Sequence, residues 1–151
     1  MIHPLTVISE NARLHATVKV YQFATVCANT VIGEDSVVGA NVWIGRDCRI
    51  GRGVRIQTGA FIPNGTRIGD NAFIGPNVTM TDDKYPRVGN VGYVAQPPVI
   101  YEGASIGANA TILPGVVIGR DAMVAAGAIV TKDVLYGDVV IGLQATPRKA
   151  A

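Results

Sequence analysis

Aliphatic residues recur at every sixth position along most of this chain. From residue 26 to residue 80 they are Val26, Ile32, Val38, Ile44, Ile50, Ile56, Ile62, Ile68, Ile74 and Met80. A small or β-branched residue follows each of them except Met80 four positions later, as at Thr30, Cys48 and Ala60. Neither the helical period of 3.6 residues nor the strand period of two generates this repeat. A fixed short period indicates a solenoid, and a period of six predicts a β-helix.

Each hexad is expected to form one short strand and one tight corner. The aliphatic and the small residue point inward, and glycine or a small polar residue lets the backbone turn where a Cβ would clash. Three hexads close a triangular coil of 18 residues, and successive coils stack roughly 4.8 Å apart. A single coil cannot bury its own core, so each coil depends on its neighbours.

The repeat is interrupted once. It runs from Ile8 to Met80, breaks at Thr81 and resumes from Ile100 to Val130. We therefore predict one β-helix domain over residues 1–151, with about six coils. It comprises N-terminal coils at 1–80, an ejected loop at 81–98, C-terminal coils at 99–134, and a cap strand with a tail at 135–151. An insertion in a solenoid usually marks its working face, although a tolerated surface insertion is the alternative.

Composition limits the function classes. A hydrophobic fraction of 48% with only 16% charged residues fits a stacked β core rather than a disordered chain. The net charge of +2 is too small to indicate a nucleic-acid partner. No signal peptide and no membrane-length apolar run is evident, and Cys27 and Cys48 are interpreted as free thiols in a reducing compartment. We therefore expect a cytoplasmic protein with no membrane partner.

The repeats resemble the hexapeptide-repeat acyltransferases, whose fold is a left-handed parallel β-helix. Residues 125–134 (AAGAIVTKDV) are similar to the coil that closes these enzymes near their acyl-CoA site. His3-Pro4, residues 20–23, residues 73–77 and the loop with Tyr85-Pro86 are similar to features of the nucleotide-sugar N-acetyltransferases. The resemblance implies acetyl-CoA as co-substrate, bound in a groove between neighbouring β-helices. It also implies a homotrimer with its active sites at the subunit boundaries.

Outward-facing apolar residues independently favour an oligomer. These are Val31, Val37, Trp43, Phe61, Phe73 and Leu113. Together they form more apolar surface than a monomer is expected to expose, and a closed three-fold assembly would bury one face of each subunit.

The histidines bear on the type of acceptor. Many relatives use a histidine base to deprotonate a hydroxyl, but His3 and His15 both lie in the first coils, far from the loop. Because neither histidine lies near the loop, the sequence argues against O-acetylation of an alcohol. It also counts against a carbonic anhydrase of the γ class, which binds zinc through three histidines, and no metal site is expected. A neutral amine attacks a thioester without a base and needs only positioning, an oxyanion donor and a proton acceptor.

Asn64 and Asp82 are the candidate catalytic residues. They are 18 residues apart, and each follows an inward aliphatic by two positions, so they are predicted to stack at one corner roughly 5 Å apart. The resemblance places Asn64 where relatives carry the catalytic histidine, and Asp82 where an asparagine contacts the acceptor amine. Asp82 would orient the amine or act as a weak base, with Asn64 as a positioning donor. Turn geometry is the structural explanation for both residues, and Asp83 is the alternative to Asp82.

Further residues are candidates for binding. Arg49 and Arg67 share a face and would meet a substrate pyrophosphate, unless they form a solvated face or intersubunit salt bridges. The candidates for the substrate are Asp83, Tyr85, Arg49 and Arg67. The candidates for the cofactor are Gly107, Ala108, Ala126 and Gly127 along the pantetheine arm, with Lys132 and Arg148 at the CoA phosphates.

The function favoured by these observations is acetyl-CoA-dependent N-acetylation of a nucleotide-linked amino sugar in surface glycan synthesis. Two alternatives are other acyl transfers: O-acetylation of a sugar or another small alcohol, and transfer of a different acyl group. A third alternative is a β-helix that serves as a binding or structural module without catalysis.

Overall fold

Twenty two-residue strands wind into a three-sided parallel β-solenoid in the computed structural model, which describes residues 1–142. The first sheet contains, in spatial order, β1 (Val7–Ile8), β4 (Thr25–Val26), β7 (Trp43–Ile44), β10 (Phe61–Ile62), β13 (Thr79–Met80), β16 (Thr111–Ile112) and β19 (Ile129–Val130). The second contains β2 (Arg13–Leu14), β5 (Val31–Ile32), β8 (Arg49–Ile50), β11 (Arg67–Ile68), β14 (Val99–Ile100) and β17 (Val117–Ile118). The third contains β3 (Lys19–Val20), β6 (Val37–Val38), β9 (Arg55–Ile56), β12 (Phe73–Ile74), β15 (Ser105–Ile106), β18 (Met123–Val124) and β20 (Val139–Val140).

The all-β solenoid predicted from the hexads is confirmed. Strands β1 to β19 each end on one of the repeating aliphatic residues, and β20 pairs with β18 as a cap strand. The solenoid therefore has nearly seven coils rather than the six that the sequence predicted, because the cap strand and its preceding turn continue the winding.

The loop leaves the solenoid without disturbing its register. Strands of successive coils pair at a separation of 18 residues, as Val7 does with Thr25. Across the loop the separation is 32 residues, from Arg67 to Val99, so the loop adds 14 residues to one coil. The stack therefore continues on both sides of the insertion, and only residues 81–98 depart from it.

Aliphatic and small side chains fill the interior as predicted. Ile44, Ile62 and Ile74 are fully buried, and so are the small residues Ala60 and Ala72. The core also contains three buried hydroxyls at small-residue positions. All three donate to backbone carbonyls: Thr30 to Gly45 (2.7 Å), Ser36 to Gly51 (2.9 Å) and Thr66 to Pro63 (2.8 Å). The hydroxyls therefore satisfy polar backbone groups that the core would otherwise bury unpaired.

The corners use glycine for two different reasons. The residue three positions after most inward aliphatics is in the left-handed region, which Asn71 (φ 58°) and Gly53 (φ 64°) illustrate. Phe23 (φ 61°) is a bulky exception. Glycines one position after the aliphatic have no such φ, but a Cβ at Gly39 would lie 2.6 Å from the backbone nitrogen of Thr58 in the next coil. These glycines are therefore required by the close approach of neighbouring coils rather than by a turn.

The outer surface carries aromatic residues on two sheets. The rings of Trp43 and Phe61 stack at a centroid distance of 4.8 Å and an interplanar angle of 7°, and Phe73 is also exposed. The expectation that Leu113 faces outward is wrong, since its side chain packs against the core from a corner position. Cys48 is buried, Cys27 is half-buried, and both are free thiols as predicted. Within residues 1–142, no helix has the length and hydrophobicity to span a membrane.

Candidate functional site

One corner of the solenoid collects several of the predicted residues. Parallel pairing of β7 and β10 stacks Arg46 and Asn64, each two positions after its strand. Asp82 lies two positions after β13, where the chain leaves the coil for the loop. Lys132 lies two positions after β19, which belongs to the same sheet as these strands, so it extends the same corner. This position of Lys132 was not predicted from the sequence.

The ejected loop is anchored to this corner at its C-terminal end. The amide of Gln96 donates to the carbonyl of Asp82 at 2.8 Å, and the carbonyl of Gln96 accepts from the amide of Gly115 at 2.6 Å. Gln96 thus bridges the coil below the loop and the coil above it. At the start of the loop, the hydroxyl of Thr81 donates to the carbonyl of Ile112 at 3.2 Å. Both ends of the loop are therefore held, and the loop folds back beside Asp82.

The loop distinguishes the two neighbouring carboxylates. Tyr93 donates its hydroxyl to Oδ2 of Asp82 at 2.9 Å, whereas Oδ1 of Asp83 accepts the backbone amide of Tyr85 at 2.9 Å. Asp83 therefore forms a local turn, and Asp82 is held by a side chain from the far part of the loop. The hydrogen bond to Asp82, followed by partial burial, raises the pKa of Tyr93. Sequence reasoning missed Tyr93, because no periodicity relates the residues of the loop to one another.

An open groove of about 600 Å³ lies against these carboxylates. Its lining residues are Asp82, Asp83, Arg87, Gly89, Asn90, Val91 and Tyr93. Two carboxylates at one wall favour a cationic group such as an ammonium, and Arg87 offers a guanidinium for an anionic group. Tyr85, predicted to bind substrate, is exposed and does not line this groove, while its ring lies 5.8 Å from Nζ of Lys84.

Asn64 has a structural hydrogen bond as well as a position at the corner. Its Oδ1 accepts the backbone amide of Arg46 in the preceding coil at 2.8 Å. Asp70 makes the equivalent bond to the amide of Arg52 at another corner, also at 2.8 Å. The Asn64 oxygen is therefore used for coil stacking, and its NH₂ group is the part that suits a role as donor.

The four small residues predicted to line the pantetheine arm lie at one corner. The amide of Gly127 donates to the carbonyl of Ala108 at 2.8 Å, and a Cβ at Gly107 would lie 2.5 Å from the backbone nitrogen of Ala126. Gly127 borders open space, since a Cβ added to it would have no other atom within 4 Å. The surface beside Gly127 is therefore open to a ligand. Arg148, predicted to meet the CoA phosphates, lies outside the described residues.

Arg49 and Arg67 are direct neighbours on the second sheet. They pair in register on β8 and β11, so they share a face as predicted. Nη1 of Arg49 donates to the carbonyl of Asn29 at 2.8 Å, which holds this guanidinium against the backbone. Among the described residues, neither of these arginines forms an ion pair. Arg52 does, with Glu34 (3.4 Å) and Asp70 (3.1 Å). The Arg49–Arg67 pair therefore remains a candidate for an anionic ligand.

The two histidines lie at the N-terminal end of the solenoid. Nδ1 of His3 accepts the amide of Leu5 at 3.2 Å, and Nδ1 of His15 lies 2.9 Å from the hydroxyl of Thr17. Neither lines the loop groove. In the described part of the chain, no group of three histidine, cysteine or carboxylate side chains is arranged to hold a metal ion.

Comparison with known families and structures adds independent findings. The family model described as "Bacterial transferase hexapeptide (six repeats)" matches residues 47–82 and 97–132. The family model described as "Hexapeptide repeat of succinyl-transferase" matches residues 24–46. Together the matches cover most of the solenoid and omit most of the ejected loop. No curated protein matches the chain.

Solved structures of acetyltransferases share the fold. A histidine-to-alanine variant of GDP-perosamine N-acetyltransferase from Caulobacter crescentus, in complex with CoA and GDP-perosamine, superposes with a TM-score of 0.67 and 28% identity. The match covers 99% of this chain and 56% of that protein, so this chain spans little more than half of its relative. A hexapeptide-repeat acetyltransferase from Vibrio cholerae O1 biovar eltor, complexed with acetyl coenzyme A, gives a TM-score of 0.66 and 29% identity. That match covers 74% of this chain and 65% of the Vibrio protein.

Proposed function

The chain belongs to the bacterial hexapeptide-repeat transferases, and on this premise we propose that it is an acetyl-CoA-dependent N-acetyltransferase acting on a nucleotide-linked amino sugar. The observation that carries the proposal is the carboxylate-lined groove of the ejected loop, at a corner with no histidine. The perosamine N-acetyltransferase and the Vibrio acetyltransferase, which were crystallised with CoA or acetyl-CoA, support the co-substrate. Surface glycan synthesis is the proposed role of the product.

The side chains at the loop favour an amine over an alcohol as acceptor. An alcohol needs a base to remove its proton at neutral pH, and histidine is the usual one. His3 and His15 lie in the first coils, whereas the groove presents Asp82 and Asp83. A carboxylate attracts an ammonium group electrostatically and accepts its hydrogen bonds. The groove is therefore better suited to an amino sugar than to its hydroxy counterpart.

In the proposed reaction, the amine nitrogen forms a bond to the thioester carbonyl carbon. The π electron pair of the carbonyl moves to its oxygen, and a backbone amide stabilises the resulting oxyanion. Asp82 holds the acceptor as its ammonium, which loses one proton to water in the open groove and becomes the neutral amine that attacks. Asp82 then accepts a second proton from the nitrogen of the tetrahedral intermediate. The C–S bond then breaks as the carbonyl re-forms, and CoA leaves as a thiolate that takes up the proton. Asn64 donates its NH₂ group to the acceptor and fixes its position.

The corner of small residues is the proposed site of the acetyl-CoA arm. Gly107, Ala108, Ala126 and Gly127 leave backbone groups accessible, and small side chains allow the pantetheine to approach them. Lys132 and Arg148 would meet the CoA phosphates, while Arg49 and Arg67 would meet the nucleotide pyrophosphate. A second copy of the chain is proposed to complete the groove in a homotrimer, with its β-helix beside this corner.

The direct test is thiol release from acetyl-CoA with a panel of nucleotide-linked 3-amino and 4-amino sugars, each compared with its hydroxy counterpart. We expect turnover with an amino sugar and little with the hydroxy sugar. Asp82→Asn is expected to lower kcat more than tenfold while CoA binding, measured by calorimetry, is retained. Asp83→Asn, measured in parallel, shows which of the two carboxylates acts.

Three results would contradict the proposal. Equal turnover of amino and hydroxy sugars would remove the argument for an amine acceptor. A larger loss of kcat in Asp83→Asn than in Asp82→Asn would transfer the role to Asp83. Absence of both turnover and CoA binding would favour the binding or structural module.

A further inference from the structure

We infer that Tyr93 is a positioning residue for the reaction, because it holds the Asp82 carboxylate in the orientation in which it receives the acceptor amine. This inference rests on the proposed N-acetyltransferase function and adds a residue from the ejected loop to its machinery. The hydroxyl of Tyr93 donates to Oδ2 of Asp82 at 2.9 Å. In the part of the chain that the structure describes, Oδ1 of Asp82 accepts no side-chain or backbone hydrogen bond and is thus available to the amine.

The hydrogen bond matters because Asp82 lies at the rim of the groove. A half-buried aspartate at a corner has several accessible rotamers, and a side-chain donor that holds one carboxylate oxygen selects among them. Misplacement of a reacting group by even about 1 Å is known to reduce turnover strongly. A fixed Oδ2 therefore directs Oδ1 reproducibly toward the groove.

Tyr93 is itself held in place by the fold of the loop. Asn90 accepts the amide of Gly92 on Oδ1 at 3.1 Å, and its carbonyl accepts the amide of Tyr93 at 3.3 Å. Nδ2 of Asn90 donates to the carbonyl of Tyr85 at 3.3 Å, which ties the two halves of the loop together. This turn presents the Tyr93 ring to Asp82, with 45% of the residue exposed. Asn90 and Tyr93 also line the groove, so loop folding and carboxylate orientation are coupled.

The hydrogen bond also affects Tyr93 itself. A phenol that donates to a carboxylate loses its proton less readily. The pKa of Tyr93 is accordingly raised, and the first cause is its hydrogen bond to Asp82.

The test is Tyr93→Phe, which removes the hydroxyl and retains the ring. We expect kcat/KM for the amino sugar to fall about tenfold, with CoA binding unchanged. Tyr136→Phe is the matched control, since Tyr136 is an exposed tyrosine in the cap region outside the proposed site. This control should leave kcat/KM unchanged.

A double-mutant cycle separates positioning from a general structural role. If Tyr93 acts through Asp82, the Tyr93→Phe change should lower kcat/KM less than twofold in an Asp82→Asn background. If Tyr93→Phe lowers kcat/KM by the same factor in the Asp82→Asn background as in the wild type, the inference is overturned. A Tyr93→Phe enzyme with the wild-type rate would overturn it as well. Absence of wild-type turnover with every amino sugar would instead overturn the proposed function on which the inference rests.

A spectroscopic titration tests the hydrogen bond independently of turnover. The difference in alkaline absorbance between the wild type and Tyr93→Phe reports the ionisation of Tyr93. We expect its pKa to lie above that of an ordinary tyrosine and to decrease in Asp82→Asn. An unchanged Tyr93 titration in Asp82→Asn would show that the two side chains are not bonded in solution and would refute the inference.

Discussion

Replacing Gly39 by alanine would test whether coil stacking dictates the residue that follows an inward aliphatic. The added Cβ would lie 2.6 Å from the nitrogen of Thr58, 2.9 Å from the carbonyl carbon of Gln57 and 3.0 Å from the carbonyl oxygen of Ile56. All three are backbone atoms, so no side chain can rotate away. Because φ of Gly39 is not in the left-handed region, alanine would be strained by the contact and not by its own backbone conformation.

The magnitude follows from the distances. An ordinary contact begins at 3.4 Å, so the coils must separate locally by about 0.8 Å. This movement stretches the bond from the Gly39 amide to the Ile56 carbonyl, now 2.8 Å, beyond hydrogen-bonding length. Overpacking costs about 1–3 kcal/mol of unfolding free energy, and the lost hydrogen bond costs about 1 kcal/mol. Alanine also restricts the unfolded chain, which offsets roughly 0.4–1 kcal/mol of this loss. We expect a net loss of about 1–3.5 kcal/mol, with a middle value of about 2 kcal/mol.

Urea denaturation followed by circular dichroism at one protein concentration measures this loss, and the thermal midpoint should fall by about 5–10 °C. Gly92→Ala is the matched control. Its Cβ would meet nothing closer than Oδ1 of Asn90 at 3.6 Å, and its φ is likewise outside the left-handed region. Gly92→Ala should therefore show only the effect of the stiffer unfolded chain, a gain of roughly 0.4–1 kcal/mol. If Gly39→Ala is as stable as Gly92→Ala, the stacking explanation for this glycine is refuted.

Burial raises the pKa of Cys48 from 9.0 to about 11. At pH 8 a thiol reagent should therefore modify the half-buried Cys27 and reach Cys48 only on unfolding. Equally rapid modification of both thiols would contradict the burial of Cys48. Because the folded-state pKa is the higher one, the contribution of Cys48 to stability is intact below pH 9 and is lost as the pH rises. Between pH 8 and pH 11, the wild type should therefore lose about 2 kcal/mol of unfolding free energy relative to Cys48→Ala. Thr30→Val should cost about 2–3 kcal/mol in urea denaturation, since it removes the hydroxyl that donates to a carbonyl and accepts the Cys48 amide, whereas Thr30→Ser should cost less. Asn71→Ala should cost about 1 kcal/mol at a φ of 58° and Asn71→Gly less than half of that, and an equal thermal midpoint for the two variants would exclude backbone strain as the cause.

The sequence alone determined the strands and their register. The aliphatic hexads from Ile8 to Val130 each became a strand, because an inward aliphatic is needed once per side of the triangle. Residues 18 positions apart necessarily stack when three hexads make a coil. The direct pairing of Arg49 with Arg67 therefore followed from counting.

The sequence also indicated where the repeat is interrupted, since an interval that is not a multiple of six cannot continue the winding. It did not separate the two uses of glycine. A left-handed corner such as Gly53 and a close approach such as Gly39 both accept glycine, and the difference lies in φ and in the neighbouring coil. Leu113 was misplaced for a related reason, because a corner side chain turns inward or outward according to local backbone geometry.

Only the tertiary structure decided the arrangement inside the loop. Residues 81–98 have no period, so nothing in the sequence relates Tyr93 to Asp82 or distinguishes Asp82 from Asp83. Their roles diverge through two hydrogen bonds, one from a side chain 11 residues away and one from a backbone amide two residues away. A repeat transmits position through its register, whereas a non-repeating loop acquires its geometry from the particular path of its backbone between two anchors.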